Sequence, residues 1–182
     1  MRKEYKAAAI RILGDELARR FPAFAPWKPD LPPVAKGRGQ AFFRRPTRSG
    51  GCVFIGFTPH VSSDDAFFLE LGWSAFDRLP DVMMWPTASM SADRSELDEP
   101  EGVVRLQDPS GDEMWSAGGL ELALAAGESG MLARLQRMSL PIATADAEAE
   151  MRPVVQRALN AFERWGAGYL DEAALRLASR IR

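Results

Sequence analysis

Three apolar runs follow one another closely in the first half of the chain. They are Gln40-Ala41-Phe42-Phe43-Arg44-Arg45, Cys52-Val53-Phe54-Ile55-Gly56-Phe57 and Ala66-Phe67-Phe68-Leu69-Glu70-Leu71-Gly72-Trp73. Gly50-Gly51 separates the first pair, and a stretch from Pro59 to Asp65 separates the second. Short aromatic and β-branched runs bounded by Gly, Pro, Ser and Asp read as strands joined by turns. The connections are too short for parallel crossovers, so 40–45, 52–58 and 66–73 are expected to form an antiparallel meander. Phe67, Leu69, Leu71 and Trp73 share one face of the third strand, and Phe68, Glu70 and Gly72 share the other. Both faces are fairly apolar, which is compatible with at least partial cover on both, and the pattern alone leaves open whether both are covered.

The flanking patterns are helical. Ile10, Leu13, Leu17 and Phe21, with Ala9 and Ala18 beside them, recur at three- and four-residue spacing and predict a helix over 3–21. Asp15 with Arg19, and Glu16 with Arg20, are spaced as stabilising pairs on it. Pro22 ends the helix. Five prolines between 22 and 37 make the next segment an extended connector, pinned by Phe24 and Trp27. Residues 103–107 predict a fourth strand. From 115 onward the pattern turns helical, with short candidates at 119–126 and 130–138. A main helix follows, starting between Asp146 and Pro153, with Pro153 in its first turn. Its stripe is Met151, Val155, Ala158, Leu159, Phe162 and Trp165, ended by Gly166 or Gly168. Asp171 is placed to cap a last helix with Leu175, Ala178 and Ile181 inward. The expected architecture is a single α+β domain over 1–182. It is an antiparallel meander of about four strands with an N-terminal helix and C-terminal helices packed on it.

Composition narrows the class. The 182 residues are 46% hydrophobic and 26% charged, a globular rather than a disordered balance. No apolar run approaches the length of a membrane span. The N-terminus lacks the apolar core of a secretory leader. Cys52 is the single cysteine, so no intrachain disulfide can form, and a cytoplasmic location is expected. With one His and one Cys, a zinc or other transition-metal site is not expected, and no cofactor is implied.

Charge is unevenly distributed. The net charge is −2, yet residues 1–50 hold 12 Lys or Arg against 4 Asp or Glu, and residues 81–113 hold 2 against 9. Such asymmetry concerns partners more than fold. Asp93, Glu96, Asp98, Glu99 and Glu101 crowd nine residues with Arg94 as the one offsetting base, and Met83, Met84, Trp85 and Met90 lie just before them. An exposed acidic stretch steers a basic protein partner, and Trp85 with the methionines supplies an apolar anchor. The plain alternative is a solvated loop. The acids do not match the spacing of a calcium loop.

Other candidate chemistry is weaker. His60, Ser62, Ser63, Asp64 and Asp65 contain the ingredients of a hydrolase, centred on His60, Asp64 and Asp65, but turns use the same residues. Cys52 and His60 are too far apart along a strand to act as a pair, so a buried structural Cys is the stronger reading. Lys36-Gly37-Arg38-Gly39 lacks the strand and helix that a phosphate-binding loop needs. Arg38, Arg44 and Arg45, with Phe42 and Phe43, form the alternative of a nucleic-acid surface, against which stands the acidic balance of the whole chain.

The order of elements carries a resemblance. A leading amphipathic helix, then Gly-Arg-Gly-Gln-Ala-Phe-Phe-Arg-Arg, then Val-Phe-Ile-Gly-Phe and Phe-Phe-Leu-Glu-Leu-Gly, resembles a family of small bacterial α+β proteins of unknown function, over about residues 5–75. Similar small α+β proteins with acidic loops serve as immunity partners that neutralise bacterial toxins. The resemblance carries no catalytic residues. With no catalytic signature elsewhere and with the acidic stretch, the expectation is a non-enzymatic bacterial binding protein acting through the acidic loop, of the immunity-protein type.

Overall fold

The computed structural model describes residues 1–30, 39–60, 65–80, 89–107, 114–117 and 126–180. Helix α1 (Lys3–Arg20) leads into a short strand β1 (Ala25–Trp27), and the meander follows as β2 (Ala41–Pro46), β3 (Cys52–Pro59) and β4 (Ala66–Ser74). A 3-10 turn (Ser95–Asp98) precedes β5 (Glu101–Arg105), and β6 (Met114–Ser116) is the last strand. The helices α2 (Gly127–Ser139), α3 (Thr144–Ala161) and α4 (Ala167–Ser179) close the chain, with a π-turn (Phe162–Gly166) joining the last two.

The sheet runs β1-β2-β3-β4-β5 with every neighbour antiparallel, and β6 pairs with β4 beside β5. This is the α+β architecture that the sequence predicts, with two strands more. One addition is the Pro-rich connector, whose residues 25–27 pair with β2. Pro26 is tolerated there because β1 is the sheet edge, where a missing N–H leaves no ladder bond unmade. The other is β6, which lies in a stretch whose pattern read as helical. Three residues are too few for periodicity to declare a strand, and Met114–Ser116 becomes one by pairing with Ala66–Phe68.

One sheet face carries Phe43, Val53, Ile55, Phe57, Phe67, Leu69, Leu71 and Trp73 into the main core, against α1, α3 and α4. The other face holds a smaller buried cluster of Phe42, Cys52, Phe54, Leu79 and Val103, with Trp27 packed on its rim. Both faces are therefore covered at these positions.

The helices depart from the predicted details. In α1 the buried set is Tyr5, Ala8, Ala9, Ile12, Leu13 and Leu17, while Ala18 is exposed and Ile10 only half-buried. In place of the expected Asp15–Arg19 and Glu16–Arg20 pairs, Asp15 meets Arg11 and Glu16 meets Arg19, while Arg20 turns away to Asn160 and Glu163. Helix α3 begins at Thr144, which puts Pro153 in its interior rather than its first turn. Pro153 and Ala149, whose carbonyl would have accepted the missing N–H, both lie on the solvent side.

The glycines expected to end the main helix do not. The π-turn carries it through Gly166 and Gly168 into α4, so Asp171 sits within a helix and caps nothing. A Cβ on Gly166 would lie 3.1 Å from Leu71 Cδ1 and 2.6 Å from the Phe162 ring. The bare backbone lets the helix settle on β4 at this point, and packing outweighs glycine's low helix propensity. The π-turn also resets the register. Tyr169, Leu170, Ala173 and Leu177 point inward, and Leu175, predicted inward, is 71% exposed. Phe162 is fully buried, while Trp165 is half-buried under Arg164.

Candidate interaction surface

The acidic stretch forms a folded corner rather than a loose loop. Asp93 accepts hydrogen bonds from the Ser95 backbone N–H at 3.2 Å and its hydroxyl at 3.1 Å, which starts the turn. Hydrogen bonds from Ser91 and Ser95 hold the Asp93 carboxyl below its ordinary range. Arg94 takes a left-handed conformation with φ of 55°, and Leu97 buries its side chain in the main core. The turn is thereby nailed to the body at its centre, with charged residues on both sides of the nail.

Glu96 faces inward. Its Oε1 accepts the Ser91 backbone N–H at 3.0 Å and the Tyr169 hydroxyl at 2.7 Å, and its Oε2 accepts the Ser91 hydroxyl. Burial alone would raise the Glu96 pKa, but these bonds outweigh it and hold the group below its ordinary value. The same pairing, added to burial, raises Tyr169. Glu96 therefore serves the fold more directly than it serves a partner.

The remaining acids meet helix α4 and the β4–β5 end of the sheet. Arg176 Nη1 donates to Asp98 at 2.6 Å, and its Nη2 and Nε donate to Glu172 at 2.6 and 3.1 Å. Arg94 pairs with the other oxygen of Glu172, and Arg180 caps the backbone carbonyls of Leu97 and Asp98. Arg94 and Arg176 hold the Glu172 carboxyl below its ordinary range. Glu101 accepts from Arg78 at 3.3 Å and from the Ser74 hydroxyl at 3.4 Å. The Glu99 carbonyl accepts the Trp73 indole N–H at 3.1 Å. That indole lies close against Gly102, where a Cβ would be 2.4 Å from the ring.

This corner brings up an apolar side chain that the sequence reading passed over. The Ala75 N–H donates to the Pro100 carbonyl at 2.9 Å, which places Phe76 next to the acidic turn. Phe76 is 59% exposed, with the Arg78 guanidinium 5.5 Å from its ring. A single Phe between a strand and a turn carries no periodicity, so nothing in the local pattern singles it out. Trp85, Met83 and Met84 lie outside the described residues. Met90 is half-buried, packs on the main core and donates its N–H to the Arg105 carbonyl, so it anchors the chain internally.

The other predicted candidates fall elsewhere. Asp65 is 3% exposed and accepts the Arg2 backbone N–H at 2.8 Å, its Nε at 2.8 Å and its Nη2 at 2.7 Å. It fixes the start of α1. The His60 carbonyl accepts the N-terminal ammonium at 3.1 Å, and its ring meets Phe68 edge-on. Asp64 lies outside the described residues, as does Arg38. Arg44 pairs with Asp77 at 2.8 Å and stacks over Trp27, and Arg45 pairs with Asp171 at 2.7 Å and stacks over Phe24. Cys52 is buried, and burial with the nearby Asp77 pushes its thiol up to about 12, an unreactive state.

A cavity of about 320 Å³ lies away from this corner, between the starts of α1 and α3, and is lined by Arg2, Leu140, Ile142, Asp146 and Glu150 among others. Among the described residues no three metal-ligating side chains come together, and no helix is long and apolar enough to cross a membrane. No protein-family model, curated protein or solved structure matches the chain.

Proposed function

We propose that the chain is a non-enzymatic cytoplasmic binding protein that captures a basic protein, as a toxin-neutralising immunity protein does. Its binding surface is the corner made by Asp93, Asp98, Glu99, Glu101 and Phe76, with Glu96 holding the corner in shape. The observation that carries this reading is the exposure of Phe76 directly beside the acids. A charged surface steers encounter but holds little by itself, and an accessible aromatic ring supplies the apolar contact that charge lacks. Carboxylates remain in excess even after the internal pairs are counted, since Asp93, Glu96, Asp98, Glu99, Glu101 and Glu172 face Arg78, Arg94, Arg176 and Arg180.

Phe76→Ser and Asp98→Lys with Glu99→Lys test the reading. Tagged wild-type protein is expected to capture a basic protein from a lysate of the source organism. Phe76→Ser should shorten the residence time of the complex. The charge reversal should slow association and weaken its dependence on salt. Unchanged capture by both variants would remove the corner from the binding surface.

A further inference from the structure

Arg176 on α4 pairs with Asp98 of the acidic turn. The Asp98 side chain is 73% exposed, and among the described residues its one side-chain cation partner is Arg176 Nη1 at 2.6 Å. Arg176 itself is only 31% exposed and has other anchors: two bonds to Glu172, and the Arg94 carbonyl at 3.4 Å. The two ends of this ion pair are unequal. If Asp98 is taken away, Arg176 keeps its place on α4 through Glu172. If Arg176 is taken away, Asp98 loses its counter-charge and faces solvent.

Resting on the reading above, we propose that the Arg176–Asp98 pair is an autoinhibitory contact that a guanidinium group of the basic partner displaces. The incoming group takes Asp98, and Arg176 falls back on Glu172, so the exchange breaks one exposed ion pair and forms another without stranding a charge. Guanidinium suits the exchange because it presents two parallel donors to a carboxylate, where an ammonium presents a point charge. In the free protein the contact lowers the negative potential of the corner and so raises the threshold for casual cationic ligands.

Octa-arginine peptide is the probe, its affinity for the full-length chain measured by titration calorimetry at low and moderate salt. Arg176→Gln should bind several-fold more tightly than wild type, and the gain should vanish in Arg176→Gln with Asp98→Asn. Arg180→Gln is the control matched for charge, because among the described residues Arg180 meets this turn through the backbone carbonyls of Leu97 and Asp98. An equal gain in Arg180→Gln, or none in Arg176→Gln while wild type binds through Asp98, overturns the masking contact and leaves the binding surface standing. Failure of every form to bind the peptide overturns both.

Discussion

The Tyr169 hydroxyl donates to Glu96 Oε1 at 2.7 Å and joins residues 73 positions apart in the chain. The ring is fully buried between helix α4 and the sheet, edge-on to Trp73. The bond fixes the acidic turn on the helix that also carries Arg176. With Leu97 in the core, this buried contact ties the acidic turn to α4.

Tyr169→Phe should therefore cost about 1.5–3 kcal/mol, the range for a hydrogen bond to a charged group. Urea unfolding measures it. The pH dependence has a definite sign. Glu96 is depressed below 4.5 in the folded chain, so its stabilisation is complete above the unfolded value and lost as pH falls through the folded one. Wild type should lose stability over that acid window, and Tyr169→Phe should lose less. Parallel pH profiles for the two proteins would contradict the assignment.

Phe162 sits in the π-turn with the Phe21 ring 4.9 Å and the Phe24 ring 6.0 Å away, both edge-on. Phe162→Ala should cost about 3–5 kcal/mol by leaving a cavity. Trp165→Ala, at a half-buried position, should cost clearly less. Equal losses in chemical denaturation would mean that the two residues share one environment.

Gly102→Ala should disturb the corner from below. The new methyl group meets the Trp73 indole, which must move and give up its bond to the Glu99 carbonyl. Overpacking of this kind costs about 1–3 kcal/mol. A red shift in tryptophan emission and an altered near-ultraviolet dichroism spectrum should accompany the loss. Unchanged spectra would place the indole elsewhere.

Arg2→Ala would leave the Asp65 carboxylate buried without its guanidinium partner. The expected cost is about 3 kcal/mol, the low end for breaking a buried pair, because Arg2 is itself partly exposed. Adding Asp65→Asn should recover part of the loss, since the stranded charge is then gone. A double variant no more stable than Arg2→Ala would show that the pair does not control the start of α1.

The strands of the meander, their antiparallel order and the leading helix were legible in the sequence, whereas the cover on both sheet faces was shown by the packed structure. The legible elements rest on local causes. Alternation along 66–73 aims each side chain, Gly50-Gly51 turns the chain, and Pro22 stops α1. Tertiary structure decided what depends on approach from far along the chain. Residues 25–27 and 114–116 became strands only because β2 and β4 offered them edges. The π-turn at 162–166 follows from seating Gly166 on Leu71, and it turned Leu175 outward against the periodic pattern. The acids of 93–101 read as an uncompensated run because Arg94 is their only basic neighbour in sequence. Arg176 and Arg180, some eighty positions later, reach them only once α4 is docked. Local composition records a charge, but which charge faces it is set by the packing of the helices on the sheet.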